Sequence, residues 1–451
     1  MSQNNETKPA RVATAPKQAG ETDQRPRWWW VERAVWTEPM LSRLTQGEAA
    51  NRVWFSLVDK TYTPGNLQSA FEKVWQKEGC PGADGQTVAH FGLHAVEELS
   101  RLQEQMRHGT YRPQPVRRAW IPKLGSNEKR PLGIPAVRDR IVQAAVRHVL
   151  EPIFEAEFAE HSYGFRPGRG AKDGLRRVEG LLKSGHTWVV DADLKGYFDT
   201  IPQDRLMTLV KERVADGRML ALVESFLQAG VLEEGKEWQP TECGTPQGGV
   251  ISPLLANVYL NPLDHHMVVQ GFEMVRYADD FVILCRDEAG AQRALEIVRD
   301  WTTQAGLTLH PDKTRLVDMN KNGGFDFLGY HFERGMKWPR KKSLDKLKEN
   351  LKAKTGRSAG RSLKVIIKDV NQTLRGWYAY FQHSKANVFT SVDGYVRRRL
   401  RSILEKRRGH SRMGMGTAHQ RWPNKWFARR GLLSLKAEHE WTLTIVKLRN
   451  H

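Results

Sequence analysis

VRYADDFVILC, residues 275–285, sets two adjacent aspartates, Asp279 and Asp280, between two short apolar runs. Val275 and Tyr277 before them, and Phe281, Ile283 and Cys285 after them, recur with period two, which reads as a strand, a tight turn and a second strand. Side-by-side carboxylates repel each other, and a turn that needs only polarity is met more cheaply by Asn-Gly or Asp-Gly. Two negative charges at the tip of an apolar hairpin therefore imply a cation. Hard oxygen ligands suit Mg²⁺. A two-metal site for phosphoryl transfer draws carboxylates from more than one element, so a third is expected on a neighbouring strand. VVDADLKGYFD, residues 189–199, supplies it, with Asp193 closing an apolar strand. Asp191 shares its strand face by period two.

The whole chain agrees with a polyanionic partner. Its 451 residues carry a formal net charge of +20 and a pI near 9.9, which points to nucleic acid. No apolar run approaches the roughly 20 residues of a membrane-spanning helix, and RWWWVERAVW near the N-terminus is broken by charges, unlike a signal core. Cys80, Cys243 and Cys285 form no paired motif, which fits a reducing cytoplasm and argues against a zinc module.

The charge is concentrated. Residues 340–412 hold 21 Lys and Arg against 5 Asp and Glu, a net +16. Leu363, Ile366, Ile367, Val370, Leu374 and Trp377 fall on one helical stripe there, as do Val396, Leu400, Ile403 and Leu404. Successive basic amphipathic helices with Trp377, Tyr378, Tyr380 and Phe381 interleaved predict a phosphate-binding surface, not a solvated face. Upstream, Ile141, Ala145, Val149 and Ile153 predict a buried helix. Residues 1–27 read as a disordered tail.

These motifs together resemble the group II intron reverse transcriptases, or maturases. YADD resembles the family's metal-binding pair and DLKGYFD the strand of its first catalytic aspartate. GTPQGGVISPLLANVYL (244–260) resembles its template- and nucleotide-facing segment. IPKLGSNEKRPLGIPAVRDRIVQ resembles its fingers motif, followed by SYGFRPGRG. GLTLHPDKTRLV (306–317) and GFDFLGYHF (324–332) resemble its lysine-bearing palm motif and primer grip. The match runs from about residue 50 to the C-terminus, in the family's order.

The resemblance implies an α/β right-hand polymerase fold: a tail over 1–40, fingers and palm over 41–335, an all-helical thumb that doubles as the maturase domain over 336–410, and a short basic DNA-binding segment over 411–451. Asp193, Asp279 and Asp280 would hold two Mg²⁺ ions, with Mn²⁺ as a substitute, assisted by the carbonyl of Leu194. Lys123 and Arg130 would cradle the incoming triphosphate. Phe198 would lie under the sugar and exclude a 2′-hydroxyl; Gln247 would touch the templating pair. Lys313 would meet the pyrophosphate leaving group. Arg397, Arg398, Arg399 and Arg401 would bind RNA. Arg421, Trp422, Lys425, Trp426, Arg429 and Arg430 fit either DNA binding or a helical cap on the thumb.

The implied activity is RNA-directed DNA synthesis, with aid to splicing of a group II intron RNA. Expected partners are that RNA, a primer–template, target DNA and deoxynucleoside triphosphates, with a homodimer also allowed and a bacterial cytoplasmic, nucleoid-associated setting. Paired cysteines for a zinc-stabilised endonuclease are absent, so a pre-existing 3′ end is the expected primer. Two rivals are a reverse transcriptase serving phage defence, CRISPR spacer acquisition or DNA repair, and an RNA-binding maturase without polymerase activity. Intact Asp193, Asp279 and Asp280 argue against the second.

Overall fold

The computed structural model describes residues 26–45, 52–122, 129–233, 237–358, 360–410 and 416–449. The expected hairpin forms: Glu273–Tyr277 (β5) pairs antiparallel with Asp280–Cys285 (β6). β6 in turn pairs with Trp188–Asp193 (β3), and β3 with Arg315–Asp318 (β7), so the central sheet runs β5-β6-β3-β7, antiparallel throughout. Alternation assigns its two faces. Val190, Ala192, Phe281 and Ile283 join a large core with the helices Ser252–Val269 and Glu288–Gln304. Val189, Val275, Val282 and Leu284 pack against the helix Ala171–Lys183 and a small second sheet. A sheet buried on both faces needs near-continuous apolar strands, which explains why the carboxylates stand out.

Two further three-stranded sheets flank this palm. Val116–Pro122 (β1) lies between Lys129–Ile134 (β2) and Val231–Leu232 (β4) in the fingers. Phe325–Phe327 (β8), Tyr330–Glu333 (β9) and Met336–Pro339 (β10) form a meander that packs on the β5–β6 hairpin's side of the central sheet. Behind the fingers, the helix Val137–Glu155 is buried almost all round, with Ile141, Ala145, Val149 and Ile153 in the core as the spacing predicts.

The folded unit begins before residue 41, where the expected tail was to end. Residues 1–25 lie outside the described residues, but Trp28, Val31, Val35, Trp36 and Leu41 are buried in the main core. Trp36 Nε1 donates to the carbonyl of His148, 3.0 Å away. Arg27 and Arg33 face outward, Glu32 turns in to accept from Ser69, and most of the apolar residues of RWWWVERAVW pack, so 26–40 belongs to the folded unit.

The helices Lys341–Lys354, Leu363–Phe381 and Asn387–Arg407 make the thumb, with Ile366, Ile367, Val370, Leu374, Val396, Leu400 and Ile403 facing one another. Its helical part begins at 341, because β10 pairs with β9 and belongs to the small sheet. Trp422, Phe427 and Leu435 join the same core, with Trp426 and Leu432 packed at its edge. The last segment thus packs as a cap on the thumb. Among the described residues no helix is long and apolar enough to cross a membrane.

Candidate active site

The β3–β6 register sets Asp193 directly opposite Asp280, and β5–β6 pairs Tyr277 with Asp280, leaving Ala278 and Asp279 as a two-residue turn. Ala278 has φ of 60°, a conformation normally left to glycine at the first position of such a turn. Its backbone is clamped from outside. A Cβ on Gly164 would lie 2.3 Å from the Ala278 nitrogen, so only glycine lets SYGFR pass over the turn. That segment hydrogen-bonds β5 on both sides, Tyr163 N to the Arg276 carbonyl at 2.9 Å and Arg276 N to the His161 carbonyl at 3.0 Å.

Arg276 buttresses the turn from inside. Fully buried, its Nε donates to Asp264 at 2.7 Å, while Nη1 reaches the Ala278 carbonyl at 2.9 Å and Asn257 at 3.1 Å. Asn257 Nδ2 donates onward to the Gly164 carbonyl at 2.8 Å. Arg276, Asp264 and Asn257 went unremarked in the sequence. The signal was present: an Arg at the centre of an apolar strand must be paired.

The carboxylates repel one another as expected. Burial, then Asp191, Asp193 and Asp279, push Asp280 up to about 7. Burial raises Asp279 too, with Asp193 adding to it, while Arg130 and Lys313 pull it back. Asp191 is raised by burial to about 6 although Arg315 Nε stands 3.2 Å away. Asp193 is paired with Lys313, whose Nζ lies 2.5 Å from Oδ2. Leu194 follows directly, bridged to Leu309. Among the described residues no three acidic, His or Cys side chains are gathered closely enough to hold an ion as they stand. Lys313 engages Asp193 there. The donor set nevertheless fits hard divalent cations, since it offers carboxylate oxygens whose shared charge is poorly compensated by the surrounding protein.

The remaining expected residues divide. Arg130 is exposed on β2, within electrostatic reach of Asp279; Lys123 lies outside the described residues. Phe198 is half-buried against the main core, its ring 6.3 Å from that of Phe165, which also meets Tyr277 at 6.4 Å. Gln247 Nε2 donates to Asp199 at 2.9 Å, a partner that sequence reasoning missed.

The thumb arginines require a correction. Arg401 is 2% exposed, donating to the Trp422 carbonyl and to Asn424, both at 2.9 Å, so it locks the cap and is not an RNA contact. Arg399 binds Thr355 at the end of the first thumb helix, with Nη2 2.8 Å from its carbonyl. Arg397 is mostly covered and lies 3.7 Å from Asp393. Arg398 alone of the four is exposed. The periodicity was right; four arginines within five successive residues of a helix cannot share one face.

Residues 121–332 match the family model for reverse transcriptase (RNA-dependent DNA polymerase), and residues 344–430 match that for the group II intron maturase-specific domain. Protein YkfC of Escherichia coli is 36% identical over 297 residues, 56% of this chain and 76% of that protein. Group II intron-encoded protein LtrA of Lactococcus lactis is 37% identical over 232 residues, 51% of this chain but only 38% of LtrA. A solved chain from a partial Cas6-RT-Cas1–Cas2 complex aligns over 55% of this chain and 41% of its own, with 26% identity and a TM-score of 0.36.

Proposed function

The chain belongs to the family of group II intron reverse transcriptases and maturases, and from that premise we propose that it copies RNA into DNA at the carboxylate cluster of the palm. The observation that carries the reading is the register that sets Asp193 against Asp280 with Asp279 in the adjoining turn. Asp193, Asp279 and Asp280, with the Leu194 carbonyl, would hold two Mg²⁺ ions, or Mn²⁺ in their place. Bound there, the ions supply the charge that activates a primer 3′-hydroxyl and steadies the leaving pyrophosphate.

The chain's own groups do the rest. Arg276, Gly164 and Asn257 fix the turn so that Asp279 and Asp280 hold their places during reaction, which avoids reorganisation in the transition state. Arg130 and Lys123 bind the triphosphate. Phe198 faces the sugar and excludes a 2′-hydroxyl, while Gln247 positions the templating pair. Lys313, released from Asp193, meets the charge that develops on the departing phosphates. The basic thumb grips the template-bearing RNA and, for a group II intron, assists its folding and splicing.

Extension of a DNA primer on an RNA template with deoxynucleoside triphosphates and Mg²⁺ tests this, with Asp279→Ala as the control. A wild-type protein that binds the primer–template and fails to extend it contradicts the reading.

A further inference from the structure

Leu328 and Gly329 form the turn between β8 and β9, since Phe327 pairs with Tyr330. Both lie at positive φ, 47° and 83°, as the closure of a two-residue hairpin demands. Glycine takes that conformation freely, whereas leucine is strained in it and stays only where its surroundings hold it. The surroundings here belong to the thumb. Tyr380 Oη donates to the Leu328 carbonyl at 2.7 Å, and Ser343 Oγ donates to the Gly329 carbonyl at 3.0 Å. Arg340 N donates to the same Gly329 oxygen at 3.0 Å. Carbonyls at a hairpin tip ordinarily face water. These two are both capped, by the first turn of the helix Lys341–Lys354 and the last turn of Leu363–Phe381.

The junction around the turn is aromatic. Phe381 stands 4.9 Å from the ring of Tyr330 and 4.9 Å from that of Trp377, and Tyr330 Oη donates back to the Tyr380 carbonyl at 2.7 Å. Phe381 is buried with Val275 and Val282 of the β5–β6 hairpin, while Trp377 packs against the thumb core as well. Trp377, Tyr380 and Phe381, expected among phosphate contacts, thus face the palm. Burial pushes the Tyr380 hydroxyl up to about 12, so it remains a donor at neutral pH. A single residue, Arg340, connects β10 to the first thumb helix, and the capped turn lies directly beside it.

We propose that Tyr380 and Ser343 are positioning residues that latch the thumb to the palm through the Leu328–Gly329 turn, and so keep nucleic acid held by the thumb in register with the carboxylates. This rests on the reading that the palm polymerises while the thumb grips the RNA. Each addition moves the duplex one step past the cluster with the thumb still holding it. A thumb free to swing about Arg340 would lose the 3′ end between additions. Two hydroxyl-to-carbonyl bonds, one from each of two thumb helices, oppose that swing.

The first measurement needs no chemistry: amide hydrogen exchange over residues 325–333 of the full chain. In the double variant Tyr380→Phe, Ser343→Ala these amides are expected to exchange about ten-fold faster than in the wild type, the factor that one lost net hydrogen bond sets. Those of β3 and β6 are expected to keep their rates. Tyr395→Phe is the control, because it removes a bond of the same kind to the Lys348 carbonyl, 3.2 Å away and wholly within the thumb. It is expected to leave 325–333 unchanged. The second measurement counts nucleotides added per encounter on a primed RNA, with a trap for released protein. The double variant is expected to add several-fold fewer, with RNA affinity and the first-nucleotide rate of the pre-bound complex near wild type. Ser343→Thr, which keeps the hydroxyl, is expected to extend as the wild type does. Tyr380→Phe alone, which keeps the ring in the junction, carries both measurements if the double variant does not fold. Unchanged exchange at 325–333 overturns the latch. Faster exchange with wild-type product lengths overturns the role in register, as does a first-nucleotide rate that falls as far as product length. A wild-type chain that binds the primer–template and does not extend would sink the polymerase reading and the register role with it, while the exchange rates still decide the latch.

Discussion

Arg276 and Asp264 form a fully buried ion pair directly behind the turn that carries Asp279, and the same guanidinium holds the carbonyl of Ala278. Removing one member of such a pair strands the other charge, at a cost of about 3–5 kcal/mol. Asp264→Asn is expected to lower stability by that order in denaturant titration. Arg276→Lys is expected to do no better, because an ammonium cannot reach Asp264, Asn257 and Ala278 together in the planar fork geometry. A lysine variant with wild-type stability and extension rate would show that the fork is not what holds the turn.

His148 gives the fold an acid limit. It is 8% exposed, with Nδ1 2.7 Å from Asn66 Oδ1 and Nε2 2.7 Å from Lys73 Nζ, an arrangement that requires a neutral ring protonated on Nδ1. Burial, reinforced by Lys73, drives its pKa from 6.5 to about 3. A depressed folded pKa means the unfolded chain binds the extra proton first. The contribution is therefore whole above pH 6.5 and is lost as pH falls toward 3. At about 1.4 kcal/mol per pH unit this amounts to a few kcal/mol. Chemical denaturation between pH 4 and 7 is expected to show that slope in the wild type and a flatter one in His148→Gln. An identical slope in both would assign the acid sensitivity to other groups, Glu32 first among them.

In the thumb, Arg398 and Arg401 are expected to behave oppositely although three residues apart. Arg398→Glu leaves the fold intact and flattens the slope of log affinity for RNA against log salt by about one, as loss of a phosphate contact does. Arg401→Ala unlocks Trp422 and Asn424 and lowers the melting temperature by several degrees. The same slope in Arg398→Glu as in the wild type would remove that helix face from the RNA surface.

Legibility in the sequence followed the size of the local signal. The β5–β6 hairpin could be read from VRYADDFVILC because period-two alternation leaves the two aspartates no apolar place to go. The helix around Ile141 and Val149 was equally plain. Arg276 was hidden because its partners, Asp264 and Asn257, sit on a separate helix and nothing in their own spacing marks them. The link from Gln247 to Asp199 joins positions 48 residues apart, and only the folded loop brings them together. Trp28 and Trp36 were misread for a different reason: charges between them disguised an irregular segment whose apolar side chains reach the core without helical or strand period. Arg401 failed because composition reports how many cations a helix has and not which way each one points.

The carboxylates themselves yield the sharpest test, because they are expected to cost stability and supply activity at once. Asp280 has its pKa raised to about 7, chiefly by burial and then by its three acidic neighbours. A raised carboxylate pKa means that the folded chain holds the proton more tightly than the unfolded one. Its stabilising effect is full at low pH and fades as pH rises through 7, so above that value the ionised group opposes folding. Asp280→Asn is therefore expected to raise the melting temperature at pH 8 in the presence of EDTA. Added Mg²⁺ is expected to raise that of the wild type more than that of the variant. Asp279→Ala, which on the proposed chemistry removes one anionic ligand and relieves part of the repulsion, is expected to fold at least as well as the wild type. Its extension rate should nonetheless fall by about three orders of magnitude, roughly 4 kcal/mol of transition-state stabilisation. RNA binding should persist, since the basic thumb lies elsewhere, and excision of a bound group II intron, catalysed by the RNA, should continue. Both assays belong on one preparation: complementary-DNA synthesis on a primed RNA, and intron excision at moderate Mg²⁺. Full extension by Asp279→Ala would refute the assigned chemistry. Loss of excision together with extension would mean that the palm also shapes the intron-binding surface, so that polymerisation and RNA gripping are not divided between palm and thumb.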